Sequence, residues 1–209
     1  VDARMRRTAH RPLPSGRLGP RPALAFGLAL ALGGLAELAA GVGAATAGGA
    51  ACGLVTYLLV YTPLKRVTPL STVAGAVAGA VPVLMGWAGV RGAIGAGGWS
   101  LFAIVFLWQI PHYLAIAWIH RADYQRAGLR SLAGSDPHGT TMARLVVISS
   151  AVLIPLSLAP ALSGTVGTAY RATALVLGVG YLASAAALGR QRTTGSARRV
   201  VTCSLAYEN

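Results

Sequence analysis

WSLFAIVFLWQIPHYLAIAWIHRADYQRAG, residues 99–128, opens with twenty-one residues (99–119) that carry no Asp, Glu, Lys or Arg. A helix rises about 1.5 Å per residue, so roughly 20 apolar residues cross a bilayer core of about 30 Å. The stretch therefore reads as a membrane span. Gln109, Pro111 and His112 form a polar break within it, and Asp123 and Tyr124 follow where the chain leaves the membrane. Ionisable groups are expensive inside a bilayer, so one there marks a site or a pathway. A carboxylate at the mouth of such a helix, facing basic loops, suggests a metal-assisted anion site at the membrane surface.

The rest of the chain agrees with a membrane class. It is 55% hydrophobic and 11% charged, with a mean hydropathy of +0.61, whereas soluble domains are about 25% charged. Six spans are expected, at 22–42, 45–63, 71–90, 99–119, 143–162 and 168–188. The expected architecture is all-α, a polytopic transmembrane helical bundle. The 209 residues leave room for one transmembrane domain over 1–209 and no sizeable soluble one. Val1 is not a start Met, and the apolar pattern at Val200–Tyr207 stops abruptly, so the chain reads as truncated at both ends.

A net charge of +13 invites a nucleic-acid partner, but the placement of the charges argues against one. With the N-terminal segment inside, sixteen of the eighteen Lys and Arg residues fall on inner segments. Arg91 and Arg171 alone fall outside. That asymmetry is the positive-inside pattern of membrane proteins. Topology and contact with anionic lipid account for most of these arginines. Cys52 and Cys203 lie too far apart in sequence to suggest a disulfide framework or a metal motif. Gly75 and Gly79 have the spacing that lets helices pack closely.

The inner loops hold the candidate chemistry. Asp2 precedes Arg4, Arg6, Arg7 and Arg11; Lys65 and Arg66 sit between Pro63 and Pro69; Asp123 lies among His120, Arg121 and Arg126. Carboxylates hold phosphates through a divalent cation, and guanidinium forks bind phosphate oxygens directly. The chain has five acids, Asp2, Glu37, Asp123, Asp136 and Glu208, and three of them stand beside cations in these loops. The adjacent cations Lys65 and Arg66 read equally well as a plain positive-inside loop.

Four motifs carry a resemblance. They are Asp2-Ala-Arg-Met5-Arg-Arg7-Thr8 through Arg11-Pro12-Leu13, Tyr61-Thr62-Pro-Leu64-Lys65-Arg66-Val-Thr68, Gly79-Ala80-Val-Pro82 with Gly86-Trp87, and Trp108-Gln109-Ile-Pro111-His112 leading to Asp123-Tyr124 and Ala127-Gly128. Together, in this order, they resemble the protohaem IX farnesyltransferases (haem O synthases) of the intramembrane aromatic-prenyltransferase superfamily. The resemblance covers nearly the whole chain. It implies a nine-helix fold around a central cavity, of which about six complete spans lie here. It also implies transfer of a farnesyl group from farnesyl diphosphate to the vinyl group of haem B. The product, haem O, feeds terminal oxidase assembly, with haem A synthase or oxidase assembly proteins as further partners. The implied setting is the bacterial inner membrane, with the basic N-terminal segment cytoplasmic.

The same resemblance implies the site. Asp2 and Asp123 match carboxylates that hold Mg²⁺ and the diphosphate. Arg7, Arg11, Lys65 and Arg66 match basic positions near the diphosphate, and His112 matches the His of the Trp-Gln-x-Pro-His motif. For His112 three roles stand open: contact with the haem iron or a propionate, base, or hydrogen bond between helices. Tyr61, Trp108, Tyr113 and Tyr124 are candidates for cation–π contact with a farnesyl cation, and equally for interfacial anchors. Departures from the family are Ser71 for a usual Asn, Val83 for a usual second Pro, and Leu129-Arg130-Ser131-Leu132 where the family continues Pro-Met-Leu. The upstream Asn and Asp residues of the first motif are absent. Two other readings compete: a prenyltransferase with a quinone or chlorin acceptor, and an inactive membrane remnant or transporter-like bundle.

Overall fold

The structure, a computed structural model, describes residues 1–162 and 166–208, and among these the regular elements are helical. A 3-10 turn, Asp2–Arg4, precedes α1 (Pro20–Gly41). The next span is built from α2 (Ala44–Val55), a π-helical stretch Thr56–Tyr61 and α3 (Thr62–Leu64). Then come α4 (Ser71–Arg91), α5 (Ala96–Ile119), α6 (Arg121–Arg126) and α7 (Leu132–Ser135). The chain continues through α8 (Thr140–Leu162), α9 (Thr168–Gln191) and α10 (Thr194–Glu208).

Six helices are long and apolar enough to cross a membrane: Pro20–Gly41, Ala44–Leu64, Ser71–Arg91, Ala96–Ile119, Thr140–Ala161 and Thr168–Gln191. Each overlaps an expected span, and the ends differ by a few residues at most. The polar break expected in α5 is not a break in the helix. Helical structure runs through Gln109, Pro111 and His112 without interruption. Pro82 and Pro155 are likewise inside helices. A proline removes one helical hydrogen bond, and packing against neighbouring helices supports a helix through that loss.

Packing orders the helices around α5, which touches α4 on one side and α8 and α10 on the other. Beyond α4 lie α2 and then α1, while α9 closes against α8 and α10. The buried core follows from this arrangement. Trp108, Leu114, Ala115 and Trp118 of α5 meet Met142, Val146 and Leu153 of α8, Tyr181, Ala185 and Leu188 of α9, and Ala197 and Val200 of α10. On the other side of α5, small residues dominate the buried face of α4, namely Ser71, Gly75, Ala76, Ala78 and Ala80, because interhelical packing in a bilayer rests on close approach rather than on the hydrophobic effect. By contrast, α1 buries no residue at all, and Leu24, Phe26, Leu30 and Leu32 are each more than 60% exposed. Such a face is compatible with lipid and not with water.

Alternation of the spans puts the segments 1–19, 65–70, 120–139 and 192–193 at one end. Contacts tie three of them together. The Arg130 N–H donates to the Lys65 carbonyl at 2.9 Å, and the Arg6 backbone lies close enough to the Asp123 carboxylate to help lower its pKa. The cations of the inner segments thereby gather at a single pole.

Candidate functional site

A cleft opens at that pole, with about 790 Å³ of space when its open mouth is included. Asp2, Met5 and Arg7 contribute from the N-terminal segment, and Tyr61 and Lys65 from the end of the second span. Ser71 and Thr72 of α4, Tyr113, Ile116 and Ala117 of α5, Tyr124 of α6, and Leu129, Arg130 and Ser131 complete the wall. One acid, three cations and three phenols thus face a cavity floored by apolar side chains.

Each is held by local structure. The Lys65 ammonium lies 4.7 Å over the Tyr61 ring. Burial lowers the Lys65 pKa from its ordinary value; the nearby Asp2 carboxylate opposes that shift and Arg66 adds to it. The Tyr61 ring rests on Gly75, where a Cβ would come within 2.9 Å of Cε2. Gly79 plays the same part for the buried Gln109, whose Oε1 fills the space a side chain would need. Gln109 Nε2 donates to the Val105 carbonyl at 3.2 Å, and its Oε1 accepts from the Tyr113 hydroxyl at 2.9 Å. The two glycines expected to bring helix backbones together therefore seat Tyr61 of the cleft and Gln109, which holds the cleft residue Tyr113. Burial raises the Tyr124 pKa, with Arg7 opposing.

The predicted site residues divide into two groups. Asp2, Arg7, Lys65, Tyr61, Tyr113 and Tyr124 line the cleft. Arg11 stands next to it, paired with Asp2 at 3.2 Å. Asp123 is paired with Arg126, which holds its pKa below the usual carboxylate range, and is outside the lining. Arg66 is exposed and also outside the lining. Trp108 and His112 point elsewhere, toward α10. The Trp108 indole donates to the Ser204 carbonyl at 2.8 Å, and His112 Nδ1 lies 2.7 Å from the Ser204 hydroxyl. Their rings stack at 5.2 Å. Of the three open roles for His112, a hydrogen bond between helices is the contact this structure displays.

Sequence reading missed Arg130, which lines the cleft with its backbone docked on Lys65. Its position departs from the family pattern, so the motif comparison passed over it. Asp136, one of the inner-loop acids, is a helix cap: its Oδ2 accepts from the Met142 N–H at 2.9 Å.

Mg²⁺ usually keeps several waters and takes one or two carboxylates together with substrate phosphates. No group of three or more His, Cys, Asp or Glu gathers among the described residues. Of the two carboxylates expected to hold the ion, Asp2 lines the cleft and Asp123 does not, a donor set that fits an ion completed by substrate phosphates and not a cage of protein ligands.

The profile of the UbiA prenyltransferase family matches residues 1–206. Curated proteins named protoheme IX farnesyltransferase are similar to this chain. That of Solibacter usitatus is 47% identical over 206 residues, covering 99% of this chain and 70% of that protein. Those of Anaeromyxobacter dehalogenans and Sorangium cellulosum are 45% and 44% identical, over 91% and 99% of this chain and 65% and 74% of those proteins. A solved structure described under the biosynthesis of digeranylgeranylglyceryl phosphate synthase in membranes aligns with a TM-score of 0.77. That alignment covers 98% of this chain and 71% of the other at 19% identity, a likeness of fold.

Proposed function

The chain belongs to the UbiA prenyltransferase family, and we propose that it transfers the farnesyl group of farnesyl diphosphate to a vinyl group of haem B, giving haem O. The acceptor and donor are carried over from relatives 44–47% identical over most of the chain. The observation that supports the reading in the structure is the cleft: Arg7, Lys65 and Arg130 beside Asp2, above an apolar floor with three phenols.

The chemistry follows from that wall. The C–O bond of the farnesyl diphosphate breaks, and its electron pair leaves with the diphosphate. Cations fixed at the developing charge lower the barrier, because they need no reorganisation when the charge appears. Arg7, Lys65 and Arg130 supply them. Mg²⁺, held by Asp2 and by Asp123 if Arg126 releases it, would add charge neutralisation at the same oxygens. Arg126 and Arg11 are then free to reach phosphate themselves. The allylic cation is sheltered by Tyr61, Tyr113 and Tyr124, whose ring faces attract positive charge. The vinyl carbon of haem B attacks farnesyl C1 and forms the new C–C bond. Water takes the resulting cation at the carbon next to the porphyrin, leaves a hydroxyl and releases a proton.

Trp108 and His112 stand on the α10 face of α5, one helical turn apart. Their proposed role is to position α10 and, through it, the haem side of the cavity. The inner pole is read as cytoplasmic, in a bacterial inner membrane, with haem A synthase or oxidase assembly proteins as downstream partners.

Membranes containing this chain, given haem B, farnesyl diphosphate and Mg²⁺, are expected to yield haem O on extraction and mass analysis. The product should vanish in Asp123→Asn. Farnesylation of a quinone or chlorin in place of haem would overturn the acceptor while leaving the prenyl transfer. No prenyl product with any acceptor would overturn the reading.

A further inference from the structure

We propose that the groove between the inner ends of α8 and α9 is a binding site for an anionic membrane phospholipid. The groove holds about 550 Å³ with its open side included. It is lined by the cations Arg144 and Arg192, by Thr140, and by Val147, Ile148 and Gly189. It shares no residue with the prenyl cleft.

Charge is the first reason. The salt bridges among the described residues are Arg11 with Asp2 and Arg126 with Asp123, so neither groove arginine is neutralised by a carboxylate. The acid nearest in sequence, Asp136, is spent capping α8. Two guanidinium groups complement a phosphodiester, and a zwitterionic headgroup brings a competing cation of its own.

Local structure is the second. Arg192 ends α9 in the left-handed conformation, with φ 50° and ψ 34°, which a residue with a side chain adopts rarely. Its backbone N–H donates to the Leu188 carbonyl at 2.9 Å. Its guanidinium donates to the Gly189 carbonyl at 3.3 Å and to the Thr140 hydroxyl at 3.4 Å. These bonds turn the side chain back across the groove toward α8.

The third reason is continuity with the lipid face. Ile148, which lines the groove, is 58% exposed. Gly189 leaves open the space above Val147, where a Cβ would just touch Cγ2 at 3.4 Å. A phosphate at the arginines therefore has apolar side chains beside it for an acyl chain to follow. The site is that of a lipid, not of a free phosphate.

The test uses the purified chain in neutral detergent and reads the melting temperature. Added phosphatidylglycerol is expected to raise it by roughly 5 °C more than phosphatidylcholine does. Arg144→Gln with Arg192→Gln should abolish that difference. A charge-matched pair outside the groove, Arg4→Gln with Arg21→Gln, should retain it. Gly189→Leu should abolish it with every charge in place, which keeps the test independent of whether the arginine variant folds. Equal loss in the two arginine pairs, a full difference in Gly189→Leu, or the same shift from inorganic phosphate would each overturn the proposal.

Discussion

Lys65 shows how a single side chain is tuned for the work proposed. Burial disfavours its charge, while the Asp2 carboxylate partly restores it and the face of the Tyr61 ring attracts it. A diphosphate would restore it further, so binding and charging reinforce each other. Replacing Lys65 by Gln should lower the rate of haem O formation about 10²-fold, in line with the loss of one preorganised donor. Arg130→Gln should raise the KM for farnesyl diphosphate and leave that for haem B unchanged in steady-state assays. His120 gives a stability test. Burial and the charge of Arg7 push its pKa below the ordinary 6.5, with Asp123 opposing and Arg198 adding to the shift. As pH falls below 6.5, the unfolded chain takes up a proton that the folded chain refuses. The melting temperature should therefore fall across that window, less steeply in His120→Gln than in the parent. The two proteins are otherwise identical, so the difference between the two curves isolates His120. Arg130 itself was not legible from sequence, because a lone arginine in a basic loop looks like every other positive-inside residue.

At the scale of elements, α4 and α5 make the wall on which the cleft depends. Gly75 and Gly79 read in sequence as a site of close backbone approach. The structure uses their missing side chains to admit Tyr61 and Gln109. A methyl group at Gly79 would overlap the Gln109 amide and displace Tyr113 from its 2.9 Å hydrogen bond. Gly79→Ala should cost about 1–3 kcal/mol, the usual penalty of overpacking, read as a lower melting temperature in detergent. On the opposite face of α5, Ser204 of α10 receives Trp108 at its carbonyl and His112 at its hydroxyl. Ser204→Ala should cost about 1–2 kcal/mol, since it leaves a half-buried imidazole without its partner. The helices themselves were plain in the sequence, because an uncharged run of membrane length has one stable form in lipid. Which face of α5 served which neighbour was not, because α5 is largely apolar all round, with Ser100, Gln109, His112 and Tyr113 its few polar side chains.

For the molecule as a whole, the distribution of charge sets the orientation. With Cys52 and Cys203 replaced by Ala, a single cysteine at Arg91 should react with a membrane-impermeant maleimide added to intact cells. One at Arg126 should react only after permeabilisation. Reaction of both in intact cells would contradict the inner placement of the cleft.

Length, composition and the sixteen-to-two division of cations determined by themselves that the chain is a helical membrane protein with its cations at one pole. Those features act locally: each span must bond its own backbone, and each basic segment responds to the membrane on its own. Local motifs also carried the family. Only the tertiary structure decided that Lys65, Arg130, Arg7 and Asp2 share one cleft, and that Trp108 and His112 turn to α10. It also decided that Asp123 holds Arg126 beside the cleft, not within its lining. Those outcomes depend on contacts such as the bond from Arg130 to the Lys65 carbonyl. Pairings of that kind, between residues far apart in the chain, leave no trace in spacing.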